Sequence, residues 1–174
     1  DAMGALDFGG LLLKLRALVK SEAGPILQQH LRHVLVDEYQ DVNRVQADIV
    51  LSLGRAADSI AVVGDDDQAI YGWRGASAAN LKRFLDAMPG ALLIKLEENY
   101  RSTATILEAA NGIIAKNELR LGKTLRATGE AGRPVRVLRG KDDLEEARRV
   151  LWDMLDEIGH GTRLDQIAVL YRTN

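Results

Sequence analysis

His-Val-Leu-Val-Asp-Glu-Tyr-Gln-Asp, residues 33 to 41, is the stretch of sequence from which the fold of this chain follows. Its β-branched and aliphatic residues at 34 to 36 are typical of a strand that is buried on both faces of a parallel sheet. The strand ends at two adjacent carboxylates, and ligands of open α/β sheets bind at the carboxyl ends of strands. Asp37 is therefore a candidate metal ligand, and Glu38 is a candidate general base. The alternative that these residues leave open is a strand that runs into a solvated acidic turn.

Apolar runs and helical periods alternate on both sides of this stretch. Predicted strands cover residues 34–37, 60–63, 92–96, 135–138 and 167–171. Predicted helices cover about 7–20, 25–32, 43–53, 77–88, 103–114 and 142–158, with Asp7, Ser77, and Ser102 or Thr103 as predicted caps. Strands that alternate with helices predict an α/β fold built on parallel sheet.

Composition restricts the class of protein further. The chain has 174 residues, 47% of them apolar, which is enough for a packed core in one α/β domain or two small lobes. A net charge of −2 gives no overall basic surface, so any nucleic-acid contact should be local. The absence of cysteine excludes disulfides and thiolate metal sites. No stretch is apolar and long enough to span a membrane, and no signal peptide is visible, so a cytoplasmic protein is expected.

A second unusual stretch follows the second predicted strand: Gly-Asp-Asp-Asp-Gln-Ala-Ile-Tyr-Gly-Trp-Arg-Gly-Ala, residues 64–76. It has neither a helical nor a strand period, which predicts a loop. Gln68 is the kind of side chain that contacts a phosphate or positions a water. Tyr71 and Trp73 are large aromatic faces beside Arg74, and such faces can stack on the bases of a single strand.

Two alternatives remain open for this loop. Trp73 could instead pack into the core, as a lone tryptophan usually does. Asp65, Asp66 and Asp67 would instead form the phosphoacceptor pocket of a receiver-like domain. That pocket needs a lysine at the end of a later strand, whereas Lys95 lies inside its predicted strand.

A third unusual stretch, Asn-Tyr-Arg at residues 99–101, follows the third predicted strand. Arg101 could stabilise charge on a transferring phosphoryl group, and Tyr100 could stack on a base. The alternative is a surface ion pair between Arg101 and Glu97 or Glu98.

Taken in order, these stretches resemble a known family. Val-Leu-Val-Asp-Glu-Tyr-Gln-Asp at 34–41, the loop at 63–76 and Leu-Glu-Glu-Asn-Tyr-Arg-Ser-Thr at 96–103 resemble motifs II, III and IV of the UvrD/Rep-type DNA helicases of superfamily 1. Ile-Ala-Val-Leu-Tyr-Arg-Thr-Asn at 167–174 resembles the strand that precedes the large inserted domain of that family. The resemblance implies a RecA-like α/β fold of the P-loop NTPase type.

The same resemblance implies a site for ATP and Mg²⁺. By position in the motifs, Asp37 would bind the magnesium of the nucleotide, and Glu38 would activate the attacking water. Gln68 would sense the γ-phosphate. Tyr100 would stack on the adenine, and Arg101 would act as an arginine finger from the second lobe.

The resemblance also implies a DNA site and an activity. Tyr71, Trp73 and Arg74 would couple the phosphate sensor to single-stranded DNA, with Trp73 stacking on a base. The implied activity is ATP-driven 3′-to-5′ movement on single-stranded DNA, with unwinding at duplex junctions.

The motifs imply parts of two lobes: residues 1–96 as the C-terminal part of the first, and residues 97–174 as the N-terminal part of the second. The family's P-loop, G-x-x-x-x-G-K-[ST], does not occur in these residues, and neither do motifs V and VI. We therefore expect an internal slice of a motor, with the remainder of the motor as its partner. The alternative is a catalytically inactive nucleotide- or DNA-binding remnant that acts as an interaction module.

Overall fold

The computed structural model describes residues 5–75, 79–117 and 121–171, apart from the side chain of Arg74. Ser77, predicted to cap a helix, lies outside these ranges. The chain divides into two compact units, Asp1–Ala131 and Gly132–Asn174.

A two-stranded parallel sheet organises the first unit. Strand β1, His33–Val36, pairs with β2, Ser59–Val62, in register from His33 opposite Ser59 to Val36 opposite Val62. Two further bonds extend the pairing, from the N–H of Val63 to the carbonyl of Val36 and from the N–H of Tyr39 to the carbonyl of Val63. The predicted parallel arrangement is confirmed, and it places the residues after β1 beside the residues after β2.

One face of this sheet is packed and the other is not. Val36 packs against a core formed by Tyr39, Ala47, Leu81 and Phe84. Leu35, whose side chain alternates to the other face, is 78% exposed. The prediction of a strand buried on both faces is therefore wrong for the described chain, because the helices that pack on β1 do so on one side.

Five helices of the first unit are described: α1 Phe8–Val19, α2 Gly24–Gln28, α3 Arg44–Gly54, α4 Ala79–Ala87 and α5 Ala104–Ile114. The predicted cap of α1 is confirmed, since an oxygen of Asp7 accepts a hydrogen bond from the N–H of Gly10. At α3, Asn43 and Gln46 exchange side-chain and backbone hydrogen bonds as a capping box. The capping residue Asn43 lies two residues after Asp41. The box therefore limits how residues 37–41 can move.

The core lies directly beneath residues 37–41, which follow β1. Tyr39 is fully buried, and its ring meets that of Phe84 edge to face at 5.7 Å. Asn80, which is 3% exposed, donates to the carbonyl of Val42 at 2.7 Å. Helix α4 thus holds the backbone on the C-terminal side of Glu38 through one aromatic contact and one buried hydrogen bond.

A second parallel pair joins β3, Glu98–Asn99, to β4, Arg126–Ala127. Thr103 is the residue before α5, but its side chain makes no capping hydrogen bond, so the prediction of a side-chain cap there is wrong. The N–H groups of Ala104 and Thr105 instead donate to the carbonyls of Glu130 and Ala131. Backbone from 26 residues further along therefore satisfies the first turn of α5.

Three predicted strands, at 92–96, 135–138 and 167–171, are wrong, because the structure shows no strand at any of them. Their apolar residues are largely exposed: Leu92 is 83%, Val137 is 85% and Leu170 is 90% exposed. An apolar run provides the side chains of a strand but not a hydrogen-bonded neighbour. At 92–96, the segment and β2 line a cavity of about 660 Å³ instead of pairing.

The second unit contains one long helix, α6, Asp143–Gly159. Its predicted start is confirmed, since Asp142 accepts from the N–H of Glu145. Arg133 forms an ion pair with Glu157 at 2.8 Å, which ties the segment before the helix to its last turns. None of the helices in the described ranges is long and apolar enough to cross a membrane.

Candidate functional site

Asp37 and Glu38 follow directly after β1, and both are exposed. Glu38 has a left-handed backbone conformation, with φ +50° and ψ +42°. Among the described residues it is the one non-glycine residue with positive φ. Such a conformation costs a glutamate about 1–2 kcal/mol, and residues that retain it tend to lie at functional sites. An oxygen of Asp37 accepts from the N–H of Glu38 at 2.8 Å, which stabilises the turn.

Gln40 joins this turn to the loop after β2. Its side chain is 2% exposed, and its Nε2 donates to Oε2 of Glu38 at 2.6 Å. Its Oε1 accepts from the N–H of Asp65 at 2.9 Å. The sequence interpretation missed Gln40, although a glutamine two residues beyond the candidate base and next to a buried tyrosine was a signal that could have found it.

Asp65 organises the start of the loop. Its carboxylate accepts from the N–H of Asp67 at 3.0 Å and from Nε2 of Gln68 at 2.7 Å, and it forms an ion pair with Lys123. Burial raises the pKa of the Asp65 carboxyl, but the hydrogen bonds from Lys123 and Gln68 outweigh burial and hold that pKa below its usual value. The exposed Gln68 side chain is therefore held by a carboxylate that stays charged.

The three neighbouring carboxylates of Asp65, Asp66 and Asp67 have oxygens within 4.8 Å of one another. Residues 121–123 contact this cluster, since Lys123 pairs with Asp65 and the N–H of Leu121 donates to Asp66 at 2.6 Å. The sequence interpretation considered only Lys95 as a lysine for this cluster, and it missed Lys123 because that residue is 58 positions away.

Tyr71 and Trp73 lie on the outer part of the same loop. Trp73 belongs to a short 3₁₀ helix, Gly72–Arg74, and its side chain is 74% exposed. Tyr71 is 38% exposed, and the two rings meet edge to face at 6.4 Å. The alternative of a core position for Trp73 is therefore wrong. The side chain of Arg74, the third predicted DNA contact, lies outside the described part of the chain.

The third stretch presents Tyr100 and Arg101 to solvent. Tyr100 is 80% exposed, and its hydroxyl donates to Glu98 at 2.7 Å, which raises the pKa of that hydroxyl. Asn99 accepts from the N–H of Arg101 at 2.9 Å and so shapes the turn. Within the described ranges, Arg101 pairs with neither Glu97 nor Glu98, so the alternative of a surface ion pair is wrong there.

The structure thus brings some of the predicted site residues together and leaves others apart. Glu38 and Gln68 are linked through the side chain of Gln40 and the backbone and carboxylate of Asp65. In the part of the chain that the structure describes, Arg101 makes no hydrogen bond or ion pair to this group.

The carboxylates after β1 fit a magnesium ion. Magnesium in nucleotide sites is held by one or two carboxylates together with phosphate oxygens. Asp37 is exposed, and among the described residues the N–H of Glu38 is the one hydrogen-bond donor to its carboxylate. The donor set at this end of the sheet therefore suits Asp37 as a ligand.

Two family models match this chain. The model described as UvrD/REP helicase N-terminal domain matches residues 1–89, and the model described as UvrD-like helicase C-terminal domain matches residues 94–174. The chain belongs to the UvrD/REP helicase family. The resemblance seen in the three motifs is confirmed, and so is the α/β fold class of the RecA-like type. The receiver-like alternative has no support in these matches.

Curated relatives from the UvrD/REP helicase family match the whole chain. It is 44% identical over 178 residues to "DNA helicase II" of Haemophilus influenzae, and 43% identical over 178 residues to "DNA helicase II" of Escherichia coli. Each match covers 100% of this chain and 24% of the relative. The chain is also 37% identical over 172 residues to "ATP-dependent DNA helicase PcrA" of Staphylococcus epidermidis. That match covers 98% of this chain and 24% of the relative. The chain spans about a quarter of the length of these UvrD/REP relatives.

Proposed function

We propose that this chain works within an ATP-dependent DNA helicase or translocase that moves 3′ to 5′ on single-stranded DNA and opens duplex junctions. Membership of the UvrD/REP helicase family supports the proposal, as do relatives that carry the names DNA helicase II and ATP-dependent DNA helicase PcrA. In this proposal residues 1–96 belong to the first RecA-like lobe and residues 97–174 to the second. The remainder of the motor is then the partner of this chain.

One observation carries the proposal: a continuous hydrogen-bonded path runs from Glu38 through Gln40 to Asp65. Asp65 begins the loop that holds Gln68 and the exposed Trp73. A motor of this kind must let the presence of the γ-phosphate change its grip on DNA. A path of hydrogen bonds between the proposed catalytic carboxylate and the start of the loop that carries an exposed aromatic is a physical basis for that coupling.

Each residue has a separate role on the nucleotide side. ATP with Mg²⁺ supplies the phosphoryl group, and the metal neutralises developing charge when it is bound. Asp37 holds the metal, while Glu38 accepts the proton of the attacking water. Gln68 detects the γ-phosphate. Tyr100 stacks on the adenine, and Arg101 stabilises the charge of the transferring group.

On the DNA side, the exposed ring of Trp73 stacks on a base, and Tyr71 supports that ring through its edge-to-face contact. Arg74, the next residue in sequence after Trp73, would add positive charge for the phosphates of the strand. Because every base offers an aromatic face, this contact would grip the strand without reading its sequence.

The decisive experiment is Glu38→Gln in the full-length helicase. The amide keeps the shape of the side chain but cannot accept a proton, so turnover should fall by about 100-fold or more while ATP binding persists. Glu22→Gln, an exposed glutamate far along the chain from the site, should leave turnover unchanged. Retained turnover in Glu38→Gln, or lost ATP binding with an unchanged turnover number, would show that Glu38 is not the base.

A second candidate is a nucleotide- or DNA-binding module without catalysis. The observation that favours it for these 174 residues alone is that they contain no G-x-x-x-x-G-K-[ST] sequence to cradle the phosphates. Titration of ATP with and without single-stranded DNA separates the two candidates. A helicase motor shows nucleotide affinity that depends on DNA and is accompanied by hydrolysis, whereas the module binds without turnover.

A further inference from the structure

The orientation of the Gln40 amide is determined by its neighbours. The N–H of Asp65 is a donor, so the amide atom that faces it must be the oxygen. The amide nitrogen must then face Glu38, where it donates to Oε2 at 2.6 Å. One oxygen of Glu38 is thus obliged to accept a hydrogen bond from Gln40, and within the described chain Oε1 makes no hydrogen bond.

The space around this amide leaves it little freedom. Gln40 is 2% exposed, and its neighbour Tyr39 is fully buried. A Cβ added at Gly64 would lie 2.9 Å from Oε1 of Gln40 and 3.3 Å from the backbone nitrogens of both Tyr39 and Gln40. The absence of a side chain at Gly64 is therefore what allows the amide to lie against the backbone after β2. A buried amide with both ends bonded is a rigid connector.

Glu38 needs such a connector because of its backbone. Its left-handed conformation takes the residue out of the strand, so the pleat of β1 no longer sets the direction of its side chain. An exposed glutamate with three rotatable side-chain bonds would otherwise sample many orientations. A general base contributes fully only when it is held within hydrogen-bonding reach of the water.

We propose that Gln40 is a positioning residue that fixes the Glu38 carboxylate, directs Oε1 to the water and ties this orientation to the backbone of Asp65. The inference rests on the proposed function, in which Glu38 is the general base. Gln40 does not touch the reacting atoms. It sets the position of Glu38, which does. The base and the start of the DNA-contacting loop then move as one unit.

The test uses Gln40→Glu in the full-length helicase. The new carboxylate still accepts from the N–H of Asp65, but it presents an acceptor to Glu38 where a donor stood. We expect kcat to fall by about 10- to 100-fold, the range that follows from misplacing a reacting group. KM for ATP and Kd for single-stranded DNA should change by less than about twofold, because Gln40 is 2% exposed and would touch neither ligand. Gln46→Glu is the matched control, since a glutamate completes the capping box of α3 equally well, and it should match the wild type.

The pH dependence of kcat distinguishes positioning from a structural role. Two facing carboxylates share a proton, so the acid limb of the profile should move to higher pH by about one pH unit in Gln40→Glu. Gln40→Met removes the donor without adding charge, so it should lower kcat and leave the acid limb in place. Combined with Glu38→Gln, it should cost little more than Glu38→Gln alone, because a base that is absent cannot be misplaced.

The outcomes separate this inference from the proposed function. If Glu38→Gln abolishes turnover while Gln40→Glu behaves like Gln46→Glu, the positioning role is wrong and the function stands. If Glu38→Gln retains turnover, the function itself fails. Should Gln40→Glu not fold, Gln40→Met decides: unchanged kcat in that variant overturns the inference. Loss of folding in both variants would make Gln40 a structural residue and overturn it as well.

Discussion

At the scale of single residues, Trp73 combines a large aromatic surface with little burial. Its side chain is 74% exposed and touches Tyr71 edge to face. An exposed aromatic ring lacks the favourable free energy of burial. It gains that free energy when a flat ligand covers it. We therefore expect Trp73 to contribute more to binding than to folding.

We expect Trp73→Ala in the full-length helicase to weaken single-strand binding by about 1–3 kcal/mol, the usual worth of one base stack. The free energy of unfolding should change by less than about 0.5 kcal/mol, as for other exposed positions. Both quantities are measurable on the same sample, by fluorescence anisotropy of a labelled oligonucleotide and by urea unfolding.

Trp152→Ala provides the matched control, because Trp152 is 71% exposed but lies on α6. It should leave DNA affinity unchanged. The stacking role of Trp73 is wrong if both alanine variants bind DNA like the wild type, or if Trp73→Ala loses about 3–5 kcal/mol of stability, the cost of removing a core aromatic ring.

The sequence was sufficient for some residues of the candidate site and not for others. The position of Asp37 and Glu38 at the end of β1 could be predicted, because an apolar run that stops at two carboxylates is a local pattern. Gln40 is two residues from Glu38 in sequence, but its contact with Asp65 could not be predicted, because the parallel pairing of β1 and β2 brings these two residues together. Lys123 could not be predicted, because its partner Asp65 lies 58 positions earlier in the chain. Local chemistry is visible in a sequence, whereas contacts across the fold are not.

At the scale of elements, two hydrogen-bonded contacts hold the loop after β2 to residues 121–123. Lys123 pairs with Asp65, and the N–H of Leu121 donates to Asp66 at 2.6 Å. The side chains of Lys123 and Asp65 are 18% and 23% exposed, so water screens their attraction only partly. The pair therefore ties a loop of the first sheet to a segment that precedes β4.

The pKa shift of Asp65 gives this contact a defined pH dependence. Because the pKa is lower in the folded chain than its ordinary value of 3.8, the charged carboxylate stabilises the fold above that value. The stabilisation is lost as pH falls through the lowered folded pKa. We expect Asp65→Asn to reduce the free energy of unfolding of the chain by about 1 kcal/mol at pH 6, the scale of a partly buried charged hydrogen bond, and by less at pH 3.

Urea unfolding of the 174-residue chain at a series of pH values measures this difference. Lys123→Met is the partner variant: in its background, Asp65→Asn should cost less, since the two changes remove the same contact. A cost of Asp65→Asn that is the same at pH 3 and pH 6 would contradict the assignment of the shift to this carboxylate.

The predicted elements show where sequence patterns are sufficient. Helices α1, α3 and α6 begin where their capping residues indicate, because a cap and its helix are neighbours in sequence. The segments at 92–96 and 135–138 have the apolar content of strands, yet no strand forms there, because a strand needs a bonded neighbour that its own residues do not specify.

At the scale of the whole molecule, these 174 residues include the proposed base Glu38 and the proposed stacking residue Trp73, but no P-loop sequence. The amides and the lysine of a P-loop normally hold the β- and γ-phosphates, and these 174 residues have no such sequence. Glu38 would place the attacking water to no effect, because the phosphate that the water must attack is not held.

We therefore expect no measurable DNA-stimulated ATP hydrolysis from the 174 residues alone. A coupled phosphate-release assay, with and without single-stranded DNA, provides the measurement. Contaminating activity is recognised by repeating the assay with Glu38→Gln, which should give the same background. Steady turnover that Glu38→Gln abolishes would show that this expectation is wrong.

The exposure of Trp73 also makes it a natural optical reporter. The chain has two tryptophans, and replacing Trp152 by phenylalanine leaves Trp73 as its only indole emitter. A water-exposed indole emits at long wavelength, and a base stacked on it quenches that emission. In a rapid-mixing instrument, the intensity of such a variant would follow each arrival and departure of a strand at the loop as a change in light over time. Strand binding and strand release at the proposed site would then be readable from one unlabelled 174-residue chain.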